Sequence, residues 1–113
     1  MNEIVGRKDD SGKLRYDLIP PEALEALTKV LMHGAEKYGD NNWKKGINYR
    51  RIYGAIQRHL QDWRKGQWID TDSGLPGLWN AYAELTFLIY YEQNKEYAKF
   101  NDFRKEWNKD YED

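Results

Sequence analysis

Three pairs of polar residues stand one helical turn apart in stretches otherwise patterned apolar: His33 with Glu36, His59 with Asp62, and Asn80 with Glu84. Residues three or four positions apart share one helix face, so each pair points one way if its segment is helical. Glu84 is the sharpest of the set. It sits inside "AYAELTFLIYY", with no other charged residue within seven positions on either side. A carboxylate in such a setting needs a partner, a cation or a polar cavity wall, because an isolated buried charge is costly. Polar pairs facing one another across a bundle are how helical proteins build carboxylate–metal sites. Oxygen-rich donors suit Mg2+ or Mn2+, ions that commonly bridge to phosphates. A plainer reading stands beside this one. His33 then caps or packs a helix end, Asp62 pairs on the surface with Arg58 or Lys65, and Glu84 bridges an arginine.

The segments between these pairs carry cations and rings. Lys8, Lys13 and Arg15 lie near the N-terminus, Lys37, Lys44, Lys45, Arg50 and Arg51 lie around "EKYGDNNWKK", and Arg58 precedes His59. Arg and Lys near helix ends are good phosphate partners. Trp43, Trp68 and Tyr16 are large enough to stack on a base. The alternative is a set of solvated charges with aromatic loop anchors. "DTDSG", residues 70–74, alternates acids (Asp70, Asp72) as a cation loop does. It lacks the twelve-residue spacing and closing glutamate of an EF-hand, so that assignment is rejected.

Helices must position these groups. Residues 1–20 read as an extended arm ending in "RYDLIPP", since Ile19 precedes Pro20 and Pro21 suits a first helical turn. From Pro21 to Tyr38, Leu24, Leu27, Leu31, Ala35 and Tyr38 recur at threes and fours, one helix face, with Gly39 as C-cap. After a loop over 40–48 with Asn48 as N-cap, a second helix runs from about Tyr49 to Lys65. Its core face is Ile52, Tyr53, Ile56, Leu60 and Trp63, and Gly66 ends it. Residues 67–77 are rich in turn formers. A third helix starts near Pro76 or Leu78 and, as the most apolar stretch, is expected at the centre. Tyr97, Phe100, Phe103, Trp107 and Tyr111 then mark an amphipathic C-terminal helix over 97–113. With no strand alternation and no internal repeat, the expected class is all-α: one domain over 1–113, a three- to four-helix bundle.

Composition narrows the functions. The chain has 113 residues, with 18 basic and 19 acidic, for a net charge of −1. That balance argues against stable nucleic-acid binding, which usually leaves a basic excess. With no cysteine, disulfides, zinc–thiolate sites and thiol nucleophiles are out. No apolar run approaches the roughly 20 residues of a membrane span, and no signal-peptide core is seen at the N-terminus. A cytoplasmic protein without a membrane partner is expected. Five Trp, nine Tyr and three Phe are many for this length. They supply large buried area with polar handles.

"GKLRYDLIPPEALEALTKVLMHGAEKYGDNNW", "RHLQDWRKGQWIDTDSGLP" and the apolar helix ending "FLIYYEQ" together resemble the small phage domain named dATP/dGTP diphosphohydrolase, related to the MazG-like all-α nucleoside triphosphate pyrophosphohydrolases. The resemblance covers residues 10 to about 92. It is most specific in "RYDLIPPEAL", "GAEKYG", "NNW" and "RHL". It implies Mg2+- or Mn2+-dependent cleavage of a (d)NTP, a purine nucleotide, to (d)NMP and pyrophosphate. It also implies a homo-oligomer with sites between helices and sometimes between subunits, in the cytoplasm of a phage's bacterial host.

On this resemblance Glu84, Asp62 and Asp70 would hold metal, with Asp72 and Glu36 in the same candidate set. His59, Glu84 and Asp62 would be the catalytic group. Arg15, Lys37 and Arg58 would clamp phosphate. Asn41, Asn42 and Trp43 would meet base or sugar, with Tyr38 and Asn80 nearby and Tyr16 and Asp17 closing from the arm. The family's pattern reads Gly-Glu after "RHL" and opens its third helix with His-Leu-x-His, whereas this chain has Gln67, Gly77 and Asn80 there. The alternative those departures suggest is a binding protein that sequesters a nucleotide or nucleotide-derived signal without cleaving it. An interaction module built on the aromatic C-terminal helix ranks third.

Overall fold

The computed structural model describes residues 5–107, with side chains described through residue 104. Helix α1 spans Pro21–Tyr38, α2 Tyr49–Arg64, α3 Gly77–Glu92 and the short α4 Asp102–Trp107; 3-10 turns cover Tyr16–Leu18, Asn42–Lys45 and Lys95–Phe100. Among the described residues the only extended pairing is an isolated bridge between Ile69 and Pro76. The fold is all-α. No helix among the described residues is long and apolar enough to cross a membrane.

Helix α3 packs against both α1 and α2, as its apolar composition leads one to expect. Small buried residues on α3, Gly77, Ala81 and Ala83, let its neighbours approach closely. Tyr49, Ile52 and Ile56 of α2 join Ala81 and Tyr91 of α3 and Tyr97 in a single core cluster. Rings dominate it: Tyr91 stacks on Tyr97 at 4.5 Å and on Tyr49 at 5.8 Å.

The turn between α1 and α2 is pinned from below. The Tyr91 hydroxyl donates to the Trp43 carbonyl and the Tyr97 hydroxyl to the Lys44 carbonyl. Burial pushes the Tyr91 hydroxyl up to about 12, so it stays a donor at physiological pH. Gly46 follows with φ +105, and a Cβ there would lie 2.2 Å from the Phe100 ring. Only glycine combines that backbone conformation with that approach.

Three sequence expectations change. The C-terminal ring stripe is not one helix over 97–113. Its start lies in the Lys95–Phe100 turn, and α4 begins only after Asn101, which is buried and whose side-chain oxygen accepts from the Arg104 N–H. An asparagine capping the following turn stops the preceding one from continuing. Tyr111 lies outside the described residues. The apolar face of α1 is also barely covered, with only Ala26 buried while Leu24 and Tyr38 are exposed. Trp63 and Tyr53, expected in the core, sit near the surface against Trp68 and Phe103.

Candidate functional site

Helices α1 and α2 diverge over α3, leaving an open cleft of about 990 Å3. Its walls are the C-terminal half of α1, the turn after it and the N-terminal two-thirds of α2. The middle of α3 forms its floor, and residues from the 67–76 loop close one end. The helical repeat explains which side chains arrive. On α2, Arg51, Ala55, Arg58 and His59 fall at spacings of three and four and line the cleft. On α3, Asn80, Ala83, Glu84 and Phe87 do the same.

The centre of the site is a row. His59 Nε2 lies 3.5 Å from Glu84 Oε1, and its Nδ1 lies 3.8 Å from Asp70 Oδ1. Both His59 and Glu84 are about one-fifth exposed. Glu84 Oε1 is buried with no hydrogen-bond partner. Burial pushes the Glu84 carboxyl up to about 7, with the Arg58 charge pulling it down and Asp70 raising it further. Among the described residues no three His, Asp or Glu side chains gather as a finished metal cage, because the trio is strung out with the imidazole in the middle.

A second cluster occupies the α1 wall. Lys37 Nζ bonds Asp72 at 2.9 and 3.1 Å, and His33 Nε2, buried and without a hydrogen bond, lies 3.9 Å from the same carboxylate. His33 and Lys37 are four apart and share a face of α1. The hydrogen bond to Lys37 holds the Asp72 carboxyl below its ordinary range and raises the Lys37 ammonium.

Most sequence candidates meet in this cleft. Lys37, Tyr38, Asn41, Asn42, Trp43, Arg58, His59, Asp70, Asp72, Asn80 and Glu84 all line it, as do Arg50 and Arg51. Their chemistry is refined by their neighbours. The Trp43 ring is already stacked on Phe87 at 4.6 Å and edge-on to Tyr90. The Asn80 amide is spent on Ser73 and the Pro76 carbonyl. Asp72 faces Lys37 rather than the His59 row.

Others do not arrive. Glu36 is exposed and off the cleft lining, since one residue turns it about 100° from Lys37. Asp62, on the last turn of α2, is also off the lining, which on that helix stops at His59. Arg15, Tyr16 and Asp17 lie on the arm, exposed, with Arg15 and Asp17 paired to each other at 2.7 Å. Sequence reading missed Ser73, which has no pattern of its own and matters only through what it touches.

The sequence profile of the family described as dATP/dGTP diphosphohydrolase, N-terminal, matches residues 3–102. The chain belongs to this family. A dATP/dGTP diphosphohydrolase of Salmonella phage PMBT28 is 33% identical over 92 residues, covering 81% of this chain and 31% of that protein. The chain thus spans about a third of the length of the curated relative it matches. No solved structure matches it. The matched region takes in both arms of the cleft, the 67–76 loop and all of α3, so the His59 row and the Lys37 cluster both lie within the part shared with the family.

Proposed function

We propose that the cleft binds a (d)NTP, a purine nucleotide, with a divalent cation and cleaves it to (d)NMP and pyrophosphate. One observation carries the reading: Glu84 Oε1 is buried, faces the cleft and lacks a hydrogen-bond partner, which a cation would supply. The donor set fits Mg2+ or Mn2+ in kind, with two carboxylates and an imidazole in a row. Mg2+ needs no complete protein cage, because it is commonly held by one or two carboxylates plus substrate phosphates. Glu84 and Asp70, on opposite sides of His59, would each offer a carboxylate oxygen to such an ion. When bound, such an ion supplies charge neutralisation for the phosphates and a lowered pKa for water.

The chain's own groups do the rest. Arg58 and Lys37, on opposite walls, bind phosphate oxygens, and their fixed positive charge favours the leaving pyrophosphate. Arg50 and Arg51 extend that positive wall. His59, set between the two carboxylates, would position the attacking water. Asn41 and Asn42 offer amides to base or sugar, and Trp43 and Phe87 form the apolar end. The phage relative is named a dATP/dGTP diphosphohydrolase, which supports this substrate class. We extend the proposal to assembly: Leu24 of α1 and Leu85 and Ile89 of α3, all exposed and off the cleft lining, are surface a second copy would cover.

The test is purified protein with Mn2+ or Mg2+ and a panel of nucleotides, read as pyrophosphate release. Release from dATP or dGTP is expected; none from any nucleotide at enzyme levels near substrate contradicts cleavage. The rival reading, sequestration without cleavage, draws on the absence of a finished metal cage among the described residues. It predicts nucleotide-induced thermal stabilisation of equal size in EDTA.

A further inference from the structure

Asp70 carries one half of the row around His59, yet it stands on a loop, where side chains are ordinarily poorly fixed. A chain of hydrogen bonds explains its placement. Asp70 Oδ2 accepts from the Ser73 backbone N–H at 2.8 Å, which leaves Oδ1 as the oxygen facing His59 Nδ1. Ser73 is fixed in turn: its Oγ accepts from the Leu75 N–H at 3.2 Å and from Asn80 Nδ2 at 3.0 Å. Asn80 is buried on α3, and its amide also donates to the Pro76 carbonyl at 3.1 Å. Backbone bonds from Asp70 N–H to the Leu75 carbonyl and from Gly74 N–H to the Asp70 carbonyl close the loop, with Gly74 at φ +71 supplying the left-handed turn.

We infer that Asn80 is a positioning residue, acting through Ser73, that fixes the 70–75 loop so that Asp70 faces His59. Asn80 and Glu84 are four apart on α3 and share a face. Helix α3 therefore places both carboxylates that flank His59: Glu84 directly, and Asp70 by way of Asn80 and Ser73. The same loop carries Asp72 to Lys37 on the far wall, so one buried amide sets the register of both acidic contacts. The part of the inference that concerns cation binding rests on the reading that Asp70 and Glu84 hold a divalent ion; the part that concerns the loop does not.

The experiment uses the full chain and two readouts. Backbone amide exchange is followed at Asp70, Ser73, Gly74 and Leu75, and Mn2+ affinity is measured directly by electron paramagnetic resonance. Asn80→Ala and Ser73→Ala are expected to speed exchange at those four amides while leaving α1 and α2 protected. They should also weaken Mn2+ by about tenfold or more, the usual effect of removing an outer-shell partner. Ser73→Thr, which keeps the accepting hydroxyl, is expected to retain both properties. Unchanged loop exchange in both alanine variants overturns the inference. So does equal loss of protection throughout the bundle in both, which would make the pair structural only. If the wild-type chain binds no Mn2+, the cation reading of the cleft fails, and the exchange data still decide whether Asn80 holds the loop.

Discussion

Lys37 of α1 and Asp72 of the 67–76 loop, 35 residues apart in sequence, meet in a two-pronged ion pair at 2.9 and 3.1 Å. The pair joins one wall of the cleft to the loop at its end. It occupies a cation the proposed chemistry needs for phosphate. Asp72→Asn is therefore expected to leave the melting temperature nearly unchanged, since exposed pairs contribute little to stability. It should tighten dATP binding severalfold in EDTA at low salt, with the gain fading as salt rises. Calorimetric titration at two ionic strengths checks this; weaker binding in the variant would instead make Asp72 a ligand of the cation or nucleotide.

Glu84 links stability to pH. Burial raises its carboxyl from the ordinary 4.5 to about 7 in the folded state. The folded chain therefore binds a proton that the unfolded chain has released between those values, and stability falls as pH rises through that window. The cost is complete above about 7 and of order 3 kcal/mol. Glu84→Gln should match wild type in thermal unfolding at pH 4.5 and exceed it by several degrees at pH 8. Excess Mg2+ at pH 8 should raise the wild type and not the variant. Equal destabilisation of the variant at both pH values would contradict the assignment.

The turn after α1 depends on two features below it. Tyr91→Phe leaves the Trp43 carbonyl without its donor, and the expected loss is about 1–2 kcal/mol in chemical denaturation. Gly46→Ala is expected to cost more, about 3 kcal/mol, because it combines a positive φ with a Cβ 2.2 Å from the Phe100 ring. Nucleotide affinity should drop in Gly46→Ala even where the protein stays folded, because Asn41 and Asn42 sit on the same turn. A Gly46→Ala variant as stable as wild type would remove the argument for that close approach.

The proposed contact between copies rests on apolar surface of α3 that one chain leaves exposed. Ile89→Asp and Leu85→Asp place charge on the exposed face of α3 without touching the cleft lining. Light scattering is expected to show a wild-type oligomer and a monomer in the double variant. A wild-type chain that is monomeric at tens of micromolar would exclude this face as the contact.

Much of this was legible in residue spacing. The threes and fours of Leu24 through Tyr38 mark α1 with the bounds the structure has, because proline and glycine punctuate both ends. Glu84 announced itself as a charge with no other charged residue within seven positions on either side, and it does lie in the cleft beside His59. Trp43 shows why the rest was hidden. Sequence marks a ring at the turn, but Phe87 and Tyr90, more than forty residues away, already engage it. Asp62 and Glu36 share spacing with real cleft residues, yet the α2 lining stops at His59 and a 100° helical step turns Glu36 from Lys37, so both lie off it. Ser73 was invisible for the opposite reason: its role is a contact with Asn80 across a loop, and no local periodicity encodes that.

The central claim is that a divalent cation and a nucleotide meet at Glu84. The most direct measurement is Mn2+ binding by electron paramagnetic resonance, with and without dATP, in wild type and Glu84→Gln. Wild type is expected to bind Mn2+, dATP to tighten that binding, and the variant to lose at least about tenfold in Mn2+ affinity while remaining folded. Equal Mn2+ binding in the two proteins, or none in either with dATP present, would contradict it.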